Sequence, residues 1–399
     1  MKIKVLEIGD ACTGCGACAN VCPKGCLQMQ QNDEGFFYPV YDEGSCIECG
    51  LCEKACHVVV GKDHPSPNPN NFFLYRSDDS ALLQSSSSGG CFSLFADWVL
   101  QQGGVVFGSS YNGETECLEV FSTDQTSLDS LRKSKYLESN TKKAFSEIRI
   151  HLKKGRQVLY CGTPCQVRGL KQYLEATNTS TDLLLSIDFA CHGVPSNKYF
   201  KQFKQRFERK NKKVAYVDFR HKDFSHEDMM WRNMTLRLDF SDGTSRVIPR
   251  LSYYYYYYEP FLDNLFLRKS CYNCDIACHS DADITLGDFW GINKYKKELE
   301  DNKGISFICI NNEKYFSVWQ ELSQKGLMEK LPFEAIEYQF KDNRQRRAKE
   351  LIKRNEFVKQ VSDKGLRKAV LNHYGRIRVA KKIYGYKIRK IVNHFLKRK

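Results

Sequence analysis

Long apolar runs are missing from this 399-residue chain: nowhere do about 18 apolar residues follow one another, the length a membrane-crossing helix needs. The opening stretch from Met1 to Asp10 has no apolar core segment and no small-residue cleavage site, so secretion is not expected. No nucleophile–base triad of a hydrolase can be assembled, and no groove-reading motif or aromatic platform for nucleic acid is present. Net positive charge is also missing over most of the chain. Residues 341–399 hold 21 Lys and Arg against 4 Asp and Glu, a net of +17, so the formal total of +14 leaves −3 for residues 1–340. The basic character belongs to the tail, and nucleic-acid binding by the whole chain is not expected. These absences point to a cytoplasmic protein, with peripheral contact at the inner membrane surface left open through the basic tail.

Cysteine, by contrast, is abundant, with 18 residues. Eight of them form two runs, Cys12, Cys15, Cys18 and Cys22, then Cys46, Cys49, Cys52 and Cys56. Each run reads C-x2-C-x2-C-x3-C, in which three thiolates can wrap one corner of an iron–sulfur cube and a fourth comes from a distant turn. Structural zinc prefers paired C-x2-C knuckles, and a disulfide framework belongs to secreted chains. The stretch resembles the bacterial two-cluster 4Fe–4S ferredoxin family. Pro23 follows the first run as the family expects, whereas His57 stands where the second proline would be. The resemblance implies that the fourth cysteine of each run serves the other cluster. Cys12, Cys15, Cys18 and Cys56 would hold one, and Cys46, Cys49, Cys52 and Cys22 the second. Gly14, Gly16 and Gly50 suit a chain folded tightly around inorganic sulfide. Such a module moves single electrons.

The length calls for more than a ferredoxin. Residues 1–63 are assigned to the two-cluster domain and 64–71, with three prolines at alternate positions, to a semi-rigid spacer. Residues 72–185 and 186–340 form two regions of a body, and 341–399 a basic helical tail. Phe72–Arg76, Val105–Gly108, Arg156–Tyr160 and Leu183–Phe189 read as strands, with helices over Cys91–Leu100 and Thr141–Lys154. The fold class is a small ferredoxin-like α+β domain followed by a mixed α/β, flavoprotein-type body. The turn Ser85–Gly90 has the parts of an anion site, and equally of a flexible helix cap.

From about Ser85 to Ile292 the chain is similar to the beta subunit of coenzyme F420 hydrogenases and dehydrogenases. The matching segments are Ser87-Ser88-Gly89-Gly90, Ser134-Lys135-Tyr136, Gly162-Thr163-Pro164-Cys165-Gln166, Cys191–Ser196, Phe219–Phe224, Cys271–Cys274 and Ile284–Ile292. The resemblance implies a flavoprotein that relays electrons between FAD and iron–sulfur clusters. Ser87, Ser88, Gly89, Gly90, Gly162, Thr163, Pro164 and Gln166 would then be the cofactor contacts. A flavin suits this chain, because it trades electrons in pairs with a substrate and singly with clusters. No residue identifies a deazaflavin pocket.

Cys271, Cys274 and Cys278 read C-x2-C-x3-C ahead of His279. With Cys165 or Cys191 they could hold a third cluster; a zinc knuckle using His279, or plain packing, are the alternatives. Cys26, Cys91, Cys117 and Cys309 lack spacing partners and are assigned to packing. His192 is read as a turn residue rather than a proton donor, Lys135 as solvated rather than phosphate-bound, and Asp288 as a turn or ligating residue. Tyr253 to Tyr258 are assigned to an amphipathic sheet or helix surface. In the tail, Leu366, Val370, Tyr374 and Ile377, then Ile383, Tyr384, Ile388, Ile391, Val392 and Phe395, form an apolar face interrupted at Gly375 and Gly385. Packing on the body is the first reading of that face and an anionic membrane surface the second. The expected partners are an electron donor or acceptor protein and an organic substrate. A non-catalytic relay subunit is the rival function.

Overall fold

The computed structural model describes residues 3–62, 71–125, 128–248, 254–340 and 344–381. Most of the Pro/Asn spacer, Tyr253 and the tail beyond 381, from Ile383 to Phe395, lie outside the described residues.

The cysteine-rich module carries one hairpin, β1 (Leu27–Gln31) against β2 (Phe37–Tyr41). In the body, β3 (Phe72–Ser77), β4 (Val105–Asn112), β5 (Cys117–Thr123), β6 (Ser139–Asn140), β7 (Val158–Cys161) and β8 (Leu184–Phe189) come first. A three-stranded sheet of β9 (Val214–His221), β10 (Thr235–Phe240) and β11 (Ser245–Ile248) follows, and then β12 (Ile284–Asp288), β13 (Ser306–Ile310) and β14 (Gly326–Leu331). The main sheet has nine strands in the order β14-β3-β13-β12-β8-β7-β4-β5-β6. It therefore draws on both the 72–185 and the 186–340 stretches. Its centre, β12, β8, β7 and β4, is parallel.

Parallel strands need both faces covered, so they read as nearly continuous apolar runs. Leu159, Leu185, Ile187 and Ile308 face one layer with Phe95, Val99 and Trp319, while Val105, Phe107, Val158 and Tyr160 face another with Phe145, Ile148, Val167 and Leu170. The helix Pro164–Ala176 starts where Thr163 closes a capping box with Gln166 and Pro164 occupies the first turn.

The cysteine module is docked rather than tethered. Cys15, Ala17, Val21 and Ala55 enter the second apolar layer. Thr141 Oγ1 donates to the Cys15 carbonyl at 3.0 Å, and Asn20 Nδ2 to the Lys142 carbonyl at 2.7 Å. A Cβ at Gly169, in the Pro164–Ala176 helix, would stand 2.7 Å from Cys15 Sγ, so this helix presses directly against the first cysteine run.

The described tail packs inward. Phe357, Val361, Leu366, Ala369 and Val370 join a core with Tyr257 and Phe266, which covers the first part of the apolar face, whereas Ile377 further along it is exposed. No helix among the described residues is long and apolar enough to cross a membrane. Arg354, buried in the Arg344–Lys364 helix, pairs both guanidinium edges with Glu34 in the β1–β2 turn. The basic tail thus clamps the cysteine module to the body. Tyr254–Tyr258 form a π-helical turn, with Tyr256, Tyr257 and Tyr258 buried rather than on a surface.

Candidate functional site

A cavity of about 500 Å³ opens at the C-terminal ends of the parallel strands, the place where α/β sheets hold ligands. Gly108 and Ser109 of β4, Cys161 of β7, Asp188 and Phe189 of β8 and Leu286 to Asp288 of β12 contribute to its wall. Six of the eight expected cofactor contacts line it: Ser87, Ser88, Gly90, Gly162, Thr163 and Gln166. Gly89 and Pro164 stand behind it. A Cβ at Gly89 would lie 2.1 Å from the Tyr75 carbonyl, so this glycine serves backbone approach between the turn and β3. Pro164 is buried in the first helical turn.

The serine hydroxyls are engaged by the protein's own backbone. Ser85 and Ser86 donate to the Leu82 carbonyl and Ser88 to the Ile305 carbonyl, while Ser87 Oγ accepts from Ser134 N at 2.6 Å. The positive charge comes from elsewhere. Lys135 is half-buried: its Nζ donates to the carbonyls of Leu131, Arg132 and Lys133, and desolvation brings its pKa down to about 8. Arg347 donates to the carbonyls of His192 and Cys271 at 2.6 and 3.1 Å. Both cations line the cavity and are held by carbonyls rather than carboxylates, an arrangement that favours an anionic ligand.

Asp288 is a ligating residue, but for protein rather than metal. Arg220, 1% exposed, donates Nη1 to Asp288 Oδ2 at 2.9 Å and Nη2 to Oδ1 at 3.3 Å. Arg220 also reaches Tyr136 Oη and the Ser87 carbonyl and lies 5.0 Å from the centre of the Trp290 ring. Trp290 stacks on Trp231 at 4.7 Å, and Trp231 Nε1 donates to Asp288 at 3.1 Å. This pair couples the Ser87 turn to β12. Arg220 stood within a matching segment, but nothing in its spacing revealed its partner 68 residues away.

Asp188 forms the floor of the cavity, fully enclosed, accepting from Ser280 Oγ and Thr285 Oγ1 at 2.6 Å each. Burial raises its pKa from 3.8 to about 7 against the help of those hydroxyls. Between these values the folded chain keeps a proton that the unfolded chain releases, so stability falls as pH rises through this window and levels off above about 7. Asp188→Asn is expected to remove that slope. Its thermal stability relative to the parent should improve by about 2–3 kcal/mol between pH 5 and pH 8, read as a widening difference in Tm. A constant difference across that range would refute the assignment.

The cysteines gather into three groups. Cys12, Cys15, Cys18 and Cys56 surround a second small cavity of about 20 Å³. His57, in the proline position, is bridged to Thr13 Oγ1 at 3.0 Å and closes that loop. The outer group pairs Cys22 with Cys46 and Cys49 with Cys52, and Cys49 is exposed. Cys26 is buried as a packing residue, with its Sγ 3.2 Å from Cys22 Sγ and in contact with Cys46. The hairpin strand that starts at Leu27 returns it to the outer group. Cys165, Cys191, Cys271 and Cys274 form the third group. Burial pushes Cys165 up to about 11 and Cys271 to about 12, and raises Cys191 well above the usual thiol value, each also raised by the other thiols. Buried thiols that oppose one another's ionisation fit a cationic iron core that takes up their charge. The Cys278 side chain lies outside the described residues. None of the described cysteines is in a disulfide, and among the described residues no three ligand side chains close around a single ion. A cube spaces its thiolates more widely than one ion does, because each iron takes one thiolate.

These groups follow one another through the molecule. Cys15 of the inner ferredoxin-type group interacts with Cys165 of the body group, and Cys191 and Cys274 line the large cavity.

Residues 155–335 match the family model for the C terminus of the coenzyme F420 hydrogenase/dehydrogenase beta subunit, and residues 11–60 match a 4Fe–4S dicluster domain. The F subunit of the F(420)H(2) dehydrogenase of Methanosarcina mazei is 26% identical over 203 residues, 47% of this chain and 56% of that protein. The chain thus spans little more than half the length of that relative. An uncharacterized ferredoxin of Methanocaldococcus jannaschii is 36% identical over 56 residues, 14% of this chain and 71% of that one. A chain of the F420-reducing NiFe hydrogenase complex of Methanosarcina barkeri aligns with a TM-score of 0.46 at 14% identity, covering 74% of this chain and 93% of that one.

Proposed function

We propose that this chain is an iron–sulfur flavoprotein oxidoreductase, because it joins a 4Fe–4S dicluster domain to the C-terminal domain of a coenzyme F420 hydrogenase/dehydrogenase beta subunit. It carries electrons between a one-electron donor protein, three 4Fe–4S clusters and FAD, and exchanges a hydride with an organic substrate, a deazaflavin such as F420 among the candidates. The observation that carries this reading is that Cys15 of the ferredoxin-type module interacts with Cys165 of the body, whose neighbours Cys191 and Cys274 line the cavity. Cys46, Cys49, Cys52 and Cys22 hold the outer cluster, Cys12, Cys15, Cys18 and Cys56 the inner one, and Cys165, Cys191, Cys271 and Cys274 the third. The large cavity takes the FAD, with Lys135 and Arg347 meeting its anionic groups and the Ser87–Gly90 and Gly162–Gln166 turns forming its wall. A bound FAD would supply the exchange between electron pairs and single electrons. The chain's own residues orient it, exclude water and hold a proton at Asp188. Free thiols and clusters suit a reducing cytoplasm.

A relay subunit without its own substrate is the second reading, favoured because the Methanosarcina mazei relative is named as a subunit. Anaerobic purification with iron and flavin assay separates the two. About twelve irons and one flavin per chain are expected; clusters without flavin would favour the relay, and about eight irons would remove the third cluster. Lipid contact is left to the tail beyond residue 381, and vesicle flotation that is unchanged by deleting 382–399 would reject it.

A further inference from the structure

Arg268 is fully buried at the contact between the body and the cysteine module. Its Nε donates to the Cys12 carbonyl at 2.7 Å and its Nη1 to Glu138 Oε1 at 2.6 Å. The guanidinium lies 4.1 Å from the centre of the Tyr38 ring, and Glu138 Oε2 accepts from Phe37 N at 2.8 Å. Arg268 Nη2 has no acceptor among the described residues. A buried donor left unmet costs about 1–3 kcal/mol, and more when charged, so this Nη2 calls for a partner.

The surroundings indicate which ligand. The chain of Arg268 leads directly into Cys271, whose N–H donates to the Arg268 carbonyl at 3.0 Å. The guanidinium interacts electrostatically with Cys12 of the inner group and with Cys271 and Cys165 of the body group. A Cβ at Gly14 would stand 2.6 Å from Glu138 Oε1 and 2.8 Å from Arg268 Nη1. Gly14 therefore makes room for this ion pair, where the sequence suggested room for sulfide. Glu138 takes Nη1 and the Cys12 carbonyl takes Nε, which leaves Nη2 alone without an acceptor on a guanidinium that interacts with cysteines of both groups.

We propose that Arg268 is a positioning residue between the inner ferredoxin-type cluster and the body cluster, donating its free Nη2–H to a cluster sulfur and raising the reduction potential of that cluster. The inference rests on the cluster assignment above. Reduction adds one negative charge to a cluster, and a buried cation with an N–H···S bond stabilises that added charge; hydrogen bonds to sulfur are among the factors that set cluster potentials.

The test uses the full chain purified anaerobically, with EPR-monitored redox titration of the parent and of Arg268→Lys, which keeps the charge but loses the second guanidinium edge. One cluster of the variant should become at least tenfold harder to reduce, about 59 mV for one electron, with iron content unchanged. Pulsed EPR of the reduced parent, grown with nitrogen-15 arginine, should show a coupled arginine nitrogen, and this measurement does not depend on the variant folding. Full iron with an unmoved potential and no arginine coupling would overturn the inference while leaving the clusters in place. A parent protein without clusters would overturn both.

Discussion

Cys165→Ser should remove one cluster and leave two. The variant is expected to retain about eight irons per chain instead of about twelve, with the EPR signals of the ferredoxin-type pair intact. Reduction at the cavity by a one-electron donor should fall by more than about 100-fold, because loss of a ligand exceeds the 10–100-fold cost of disturbing a ligand's support. The reasoning is positional. Cys165 sits in the first turn of the Pro164–Ala176 helix, interacts with Cys15 on one side and with Cys274 and Cys191 on the other, and thereby joins the module to the cavity. Serine keeps the size and the capped helix start while removing the soft ligand. Unchanged iron together with unchanged reduction would show that the body group holds no cluster on the electron path.

Arg220→Met is expected to cost about 3–5 kcal/mol, because it leaves Asp288 as a partly buried charge without its bidentate partner. The site should suffer as well as the fold, since Arg220 also ties the Ser87 carbonyl and Tyr136 Oη to β12. The prediction has an internal control. Arg220→Met combined with Asp288→Asn removes both charges and should recover much of the loss, as two contacting residues are not additive. Chemical denaturation of the three variants measures this directly. Equal stability of the single and double variants would mean that the pair is not what holds the turn.

Much of this protein is legible in its sequence. The spacing of the eight amino-terminal cysteines is a local property, since thiolates that share a cluster come largely from one turn, and two resemblances followed from short motifs in order. Both stand in the matches to residues 11–60 and 155–335. The α/β body was legible for a similar reason, because buried parallel strands must be apolar along their whole length. Local chemistry misled where tertiary demands took the same atoms. The Ser85, Ser86 and Ser88 hydroxyls went to carbonyls of their own framework, Lys135 was held by three carbonyls at the cavity wall, and the tyrosine run folded into a buried π turn.

What the residues alone decided, then, was the pair of cysteine runs near the amino terminus, the layered α/β body behind them and the basic tail. What only the tertiary structure decided was how these parts connect. Cys165, Cys191, Cys271 and Cys274 meet although sequence separates them by up to 109 positions. Arg268 finds Glu138 across 130 residues and Arg354 finds Glu34 across 320. Such pairings leave no periodic trace, because a buried charge or thiol needs one complementary group in space and is indifferent to where that group lies along the chain.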